Sequence, residues 1–184
     1  RGIRVTDQEH WAPMAIPHPS GQRLRLLLID ESASTRATYI ELLSAINPGT
    51  DYAFEEASSA EQGLNACASW RPHCVLLDDR LPDMNSVAFL DAVSALAARD
   101  AVSVLILTGR ETAESPSQPA PDGTLWKAEL DGVALDQAIR AAVAKRSEKR
   151  ATERARLQQL DELHTRLKGK WTDLLAKTES RRTV

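Results

Sequence analysis

Two adjacent carboxylates follow an unbroken apolar run at Cys74-Val75-Leu76-Leu77-Asp78-Asp79, and a Leu81-Pro82 turn closes the stretch. Such a run reads as a buried strand that delivers Asp78 to the edge of a sheet. Leu26-Leu27-Leu28-Ile29 runs into the acidic pair Asp30 and Glu31, Val102 to Leu107 runs into Thr108 and Gly109, and the shorter Thr124-Leu125-Trp126 ends at Lys127. If these strands are parallel neighbours, three carboxylates, a hydroxyl and an ammonium meet at one edge, where open parallel sheets keep their chemistry. Carboxylates so close repel and raise one another's pKa, so the cluster calls for a divalent cation. Hard oxygen ligands of this kind suit magnesium.

The elements that must position these residues alternate along the chain. Ser34 is placed to cap a helix in which Ala37, Ile40, Leu43 and Ile46 recur at helical spacing, until Asn47-Pro48-Gly49 stops it. Tyr52-Ala53-Phe54 reads as a strand, and Ser59 with Gln62 three residues on reads as a capping box for a helix through Trp70 that buries Leu64, Cys67 and Ala68. A further helix is expected over Val87 to Ala98, and Asp131 is placed to cap one beginning near Gly132, with Leu135, Ile139 and Val143 against the sheet. Such βα repetition implies a parallel sheet covered on both faces through right-handed crossovers.

The set of chemical positions, in this order, resembles the receiver domain of two-component response regulators, over roughly Arg25 to Arg146. The resemblance implies an α/β fold with a doubly wound, five-stranded, flavodoxin-like sheet. It makes Asp78 the phosphoacceptor, Asp30 and Glu31 the acidic pair that holds Mg2+ together with Asp78 and the backbone carbonyl of Arg80, Thr108 the switch hydroxyl and Lys127 the phosphate partner. A sensor histidine kinase is the implied phosphoryl donor. The chain is then no enzyme beyond self-phosphorylation and autodephosphorylation. Three departures stand out. Asn85-Ser86 occupies the place of a usual glycine, Thr124 stands where an aromatic is common, and Pro116, Pro119 and Pro121 fall where the fourth receiver helix would form. Proline in a helix interior costs about 3 kcal/mol, so that helix is expected to be broken, shortened or absent, and output through the usual face is in doubt.

Composition bounds the rest. With 184 residues and 42% apolar content, one domain of ordinary size plus an extension is expected. Cys67 and Cys74 lack metal-ligand spacing and read as reduced packing thiols of a cytoplasmic protein. No apolar run is long enough to span a bilayer, and no signal-peptide pattern opens the chain. Residues 1–22 hold three prolines and no period, and read as a flexible lead-in; the missing initiating Met points to processing or to a piece of something longer. Net charge is −3, but from Lys145 onward there are 12 basic and 6 acidic residues, leaving 11 basic and 20 acidic before it. The basic tail has neither a run of like charges nor an aromatic platform for bases, which disfavours nucleic acid as a partner.

The receiver-like part is bounded at 23–146, and 147–184 reads as a helical extension continuous with its last helix. Leu157, Leu160, His164, Leu167, Trp171, Leu174 and Thr178 alternate spacings of three and four, an a/d seam. A helix from Val133 to Lys177 would be about 67 Å long, and must protrude. Four to five seam residues at roughly 1.5 to 3 kcal/mol each would hold a homodimer through this coiled coil. The alternative is a helix folded back on its own receiver. His164 on such a helix invites a phosphohistidine reading, but the register of the histidine-kinase helix it loosely resembles would place that residue at Thr165. Two rival functions stand beside the phosphoacceptor: a fragment of a hybrid sensor kinase or receiver-linked output enzyme, and a phosphate-independent pseudo-receiver adaptor.

Overall fold

The structure, a computed structural model, describes residues 23–46, 52–96, 102–109 and 122–180. The lead-in over 1–22 and the proline-rich stretch expected to spoil a helix lie outside the described residues. Five parallel strands form one sheet in the order β2-β1-β3-β4-β5: β1 (Leu24–Ile29), β2 (Tyr52–Ala57), β3 (Cys74–Asp78), β4 (Ser103–Thr108) and β5 (Gly123–Trp126). Between and after them come α1 (Ala33–Ile46), α2 (Ala60–Ser69), α3 (Ser86–Ala95) and α4 (Gly132–Ser180), the last preceded by a 3-10 turn at Lys127–Glu129. The three central strands are buried almost throughout, which is why they read as continuous apolar runs rather than as alternating ones.

Side chains alternate across the sheet, and this divides the core in two. Leu26, Leu28, Leu76, Leu105 and Leu107 pack with Tyr39 and Leu43 of α1 and with Leu135 and Ile139 of α4. Leu27, Ile29, Val75, Leu77, Val104 and Ile106 pack with Cys67 of α2 and with Phe89, Leu90 and Val93 of α3. Gly63 lets α2 approach β1, because a Cβ there would collide with the Ile29 side chain. Both cysteines are buried free thiols, and burial pushes Cys67 up to about 12. They pack and do not react.

Local details differ from the sequence expectation. The hydroxyl that caps α1 is Ser32, whose Oγ accepts from Thr35 N at 3.3 Å, and not Ser34. Tyr39 and Leu43 are the buried residues of α1, whereas Ala37 is exposed. Ser59 caps α2 through Gln62 N at 3.2 Å, but the Gln62 amide reaches back to Ser58 N at 3.0 Å, so the reciprocal bond falls one residue early. Ala68 faces solvent. Helix α3 stops at Ala95, where Leu96 turns extended and donates to Val93 O at 3.2 Å.

Asp131 caps α4, its Oδ1 accepting from Ala134 N at 2.7 Å. The first turns of that helix are rooted in the sheet. Tyr52 Oη donates to Asp136 at 2.7 Å, Ser103 Oγ to the Ala142 carbonyl at 3.1 Å, and Arg146 pairs with Asp122 at 3.2 Å. The helix then runs without a break for 49 residues in all, about 74 Å at 1.5 Å per residue. From Ala151 to Thr172 every residue is exposed, including Leu157, Leu160, Leu163, Leu167 and Trp171, the last at 65%. The helix therefore protrudes and does not fold back on the sheet.

Candidate functional site

At the C-terminal edge of the sheet, three strand ends bring one ammonium between two carboxylates. Lys127, in the turn after β5, places Nζ 3.0 Å from Asp30 Oδ2 and 2.9 Å from Asp78 Oδ1. Register explains the meeting. Ile29 lies beside Leu77 and Asp78 beside Leu107, so Asp30 and Asp78 emerge next to each other on neighbouring strands. Asp30, Asp78 and Lys127 also share the alternation phase of Leu28, Leu76 and Leu125, the face covered by α1 and α4.

Each group is held by more than this ion pair. Asp30 is 5% exposed, its Oδ1 accepting from Ser32 N at 2.9 Å. Arg36 of α1 donates to the Asp30 carbonyl at 2.6 Å and to Glu56 of β2 at 2.8 Å, which fixes the loop after β1. Asp78 is 9% exposed and accepts from Arg80 N at 3.3 Å. Burial pushes the Asp78 carboxyl above its usual range, and the Lys127 ammonium recovers only part of that shift. For Lys127, burial works against the charge, but the hydrogen bonds to Asp78 and Asp30 outweigh it and the ammonium ends above its ordinary value.

Two other candidates stand apart. Thr108 is 2% exposed, and its hydroxyl donates to Asp79 Oδ2 at 2.7 Å. Glu31 is exposed beside the site, and its backbone carbonyl lies 3.4 Å from Arg36. Asp79 is the partner of Thr108 that sequence reasoning passed over. The signal was in the alternation: Asp79 follows the phase of Leu77, and Thr108 that of Ile106, so both fall toward the α2 and α3 face.

The loop after β3 is braced from both sides. Asp83 accepts from Ala60 N and Glu61 N, each at 3.1 Å, and these bonds hold its carboxyl below the usual carboxylate range. Together with Ser59 it satisfies the first three amides of α2. Asn85, the first of the two residues at the expected glycine position, has extended backbone at φ −78°, and its Oδ1 caps α3 by accepting from Ala88 N at 2.8 Å. The side chain is accommodated because it serves as the helix cap.

Among the described residues, no three His, Cys, Asp or Glu side chains are gathered as a metal ion would require. Asp30 and Asp78 nevertheless offer hard, ionisable oxygens that converge on one cation, and that chemistry fits magnesium. Glu31 and the Arg80 carbonyl would complete the set from the rim. No described helix is long and apolar enough to cross a membrane.

No protein-family model matches the sequence, and no curated protein matches it. Solved structures do share the fold. A signal receiver domain of a Luxo repressor protein from Vibrio parahaemolyticus is 20% identical at a TM-score of 0.59, covering 72% of this chain and 98% of that one. The receiver domain of a sensor histidine kinase from Pseudomonas aeruginosa PAO1, described with a magnesium ion coordinated in its active site cleft, is 15% identical at 0.58, covering 67% and 99%. The N-terminal domain of a response regulator/sensory box/GGDEF protein from Carboxydothermus hydrogenoformans is 18% identical at 0.58, covering 68% and 98%. The flavodoxin-like receiver fold is thus that of this chain, with the protruding helix as an addition.

Proposed function

We propose that this chain is a response-regulator receiver that accepts a phosphoryl group on Asp78 from a sensor histidine kinase in the cytoplasm. The observation that carries the reading is the buried Asp78 carboxylate at a strand end, 2.9 Å from Lys127 Nζ with Asp30 on the ammonium's other side. An Asp78 oxygen attacks phosphorus in line, the bond to the donor's imidazole nitrogen breaks, and that nitrogen keeps the electron pair. The product is an acyl phosphate. Lys127 is close enough to pass from carboxylate to a phosphoryl oxygen as negative charge develops there. Asp30 and Asp78 are the residues that would hold a magnesium ion, which would add further neutralisation of the phosphoryl oxygens. The chain is otherwise no enzyme.

The output proposed is α4. Its exposed stripe of Leu157, Leu160, Leu167 and Trp171, with His164 between them, supports a homodimer through a coiled coil. Phosphorylation would act on the rooted turns of that helix and change how two copies pack. The position of Thr108, turned to Asp79, favours a second reading: a pseudo-receiver adaptor that signals by binding alone.

Incubation with acetyl phosphate and magnesium, followed by intact-mass detection, decides between them. An adduct lost in Asp78→Asn is expected. No adduct on folded protein would overturn the phosphoacceptor and leave the adaptor.

A further inference from the structure

The Thr108 hydroxyl has one proton to donate, and it is committed. It goes to Asp79 Oδ2 at 2.7 Å, inside the protein, with Thr108 only 2% exposed. Asp79 is not loosely placed, because its own backbone N–H donates to the Leu107 carbonyl at 3.1 Å and so ties the residue to the end of β4. Asp78 meanwhile turns to Lys127 on the opposite alternation phase. The chain therefore carries two consecutive carboxylates with separate partners, the first facing the ammonium and the second facing the hydroxyl.

We infer that Asp79 is a positioning residue that holds the Thr108 hydroxyl away from the acceptor and sets how much phosphoryl binding the switch requires. The inference rests on the phosphoacceptor reading of Asp78. A hydroxyl bonded to a carboxylate makes a charge-assisted bond, stronger than one to a neutral acceptor. A phosphoryl oxygen on Asp78 must compete with Asp79 for the same proton, and the existing charge-assisted bond favours the state in which Thr108 stays with Asp79. Only a chain that carries the phosphoryl group, and has surrendered the Asp79 bond, reaches the switched state. An apolar residue at position 79 would remove this threshold.

Beryllofluoride with magnesium, used as the phosphoryl probe on the full chain, tests this by calorimetric titration. Asp79→Ala is expected to tighten beryllofluoride binding about tenfold, the loss of one charge-assisted competitor. In a Thr108→Val background the same substitution is expected to change binding less than about twofold, since there is no hydroxyl to release. Asp79→Asn keeps an acceptor oxygen without the charge and is expected to fall between wild type and Asp79→Ala. Equal tightening with and without the Thr108 hydroxyl would overturn the inference, and so would an Asp79→Asn effect as large as that of alanine. Wild type that binds beryllofluoride, with Asp79→Ala unchanged, would also overturn it while leaving the acceptor reading intact. A wild-type chain that neither binds the probe nor forms the acetyl-phosphate adduct would remove both.

Discussion

Replacing Lys127 by methionine keeps the stem and removes the charge that reconciles Asp30 with Asp78. The carboxylate oxygens each lie within 3.0 Å of Nζ, so they are at most about 6 Å apart. At that separation two unit charges repel by about 3 kcal/mol at an effective dielectric near 20. The side chains of Asp30 and Asp78 are 7% and 11% exposed, so solvent screens this only in part. Lost attraction to the ammonium adds to the repulsion, while the partly exposed lysine itself limits the total. The expected loss is about 2 to 4 kcal/mol at pH 7, at the low end of the roughly 3 to 5 kcal/mol for breaking a buried pair because Lys127 is itself partly exposed. The sign of its pH dependence follows. Without the ammonium, burial and the neighbouring Asp30 make the Asp78 carboxyl take up a proton more readily in the folded chain than in the unfolded one, where aspartates titrate at about 3.9. Stability is then lost as pH rises above about 4, and the penalty relative to wild type shrinks below about 1 kcal/mol near pH 3. Urea unfolding from pH 3 to 8 measures this, and millimolar magnesium at pH 7 should restore part of the loss by replacing one cation with another. A deficit that is the same at pH 3 and pH 7 would refute the electrostatic account and leave only lost packing.

Other perturbations probe the loop and the helix. Asp83→Ala strips the cap from the first two amides of α2 and is expected to cost about 1 kcal/mol in chemical unfolding. Because the Asp83 pKa is lowered in the folded chain, its contribution is present at neutral pH and is lost as pH falls through that lowered value. Wild type and mutant should therefore converge in acid. Sedimentation of wild type is expected to report a dimer, and Leu160→Asp with Leu167→Asp a monomer with unchanged acetyl-phosphate labelling. A wild-type monomer across the micromolar range would dismiss the seam.

Much of the site was legible because it hangs on the most conspicuous feature of the chain, apolar runs that stop at a charged residue. Asp30, Asp78 and Lys127 needed only the assumption of parallel neighbours, and the register of β1, β3, β4 and β5 supplies it. What escaped was decided by direction rather than type. Alternation sends Asp79 and Thr108 to one face and Asp78 to the other, yet a glance at adjacent aspartates counts only the one that fits a motif. Caps were legible where a single polar residue precedes the helix, as at Asp131. They were ambiguous at Ser32 and Ser34, where two hydroxyls compete and hydrogen-bond each other at 2.8 Å. Asp83 was illegible for a different reason: it caps a helix 22 residues upstream, and no local pattern announces a contact made through folding.

The unbroken course of α4 from sheet to tip has a mechanical consequence. Trp171 lies 29 residues beyond Ala142, the last well-buried position at the root, so the arm between them is about 44 Å. A tilt of about 5° at the root would sweep Trp171 sideways by about 4 Å, close to the width of a methylene group and enough to unseat one side chain from a hole it would fill in the proposed dimer. The sheet edge need move by only a fraction of that. Distance along the helix thus works as gain: the same tilt that is negligible beside Ala142 is large at Trp171, and if α4 carries the proposed output, shortening the arm would weaken it without touching the site at the sheet edge.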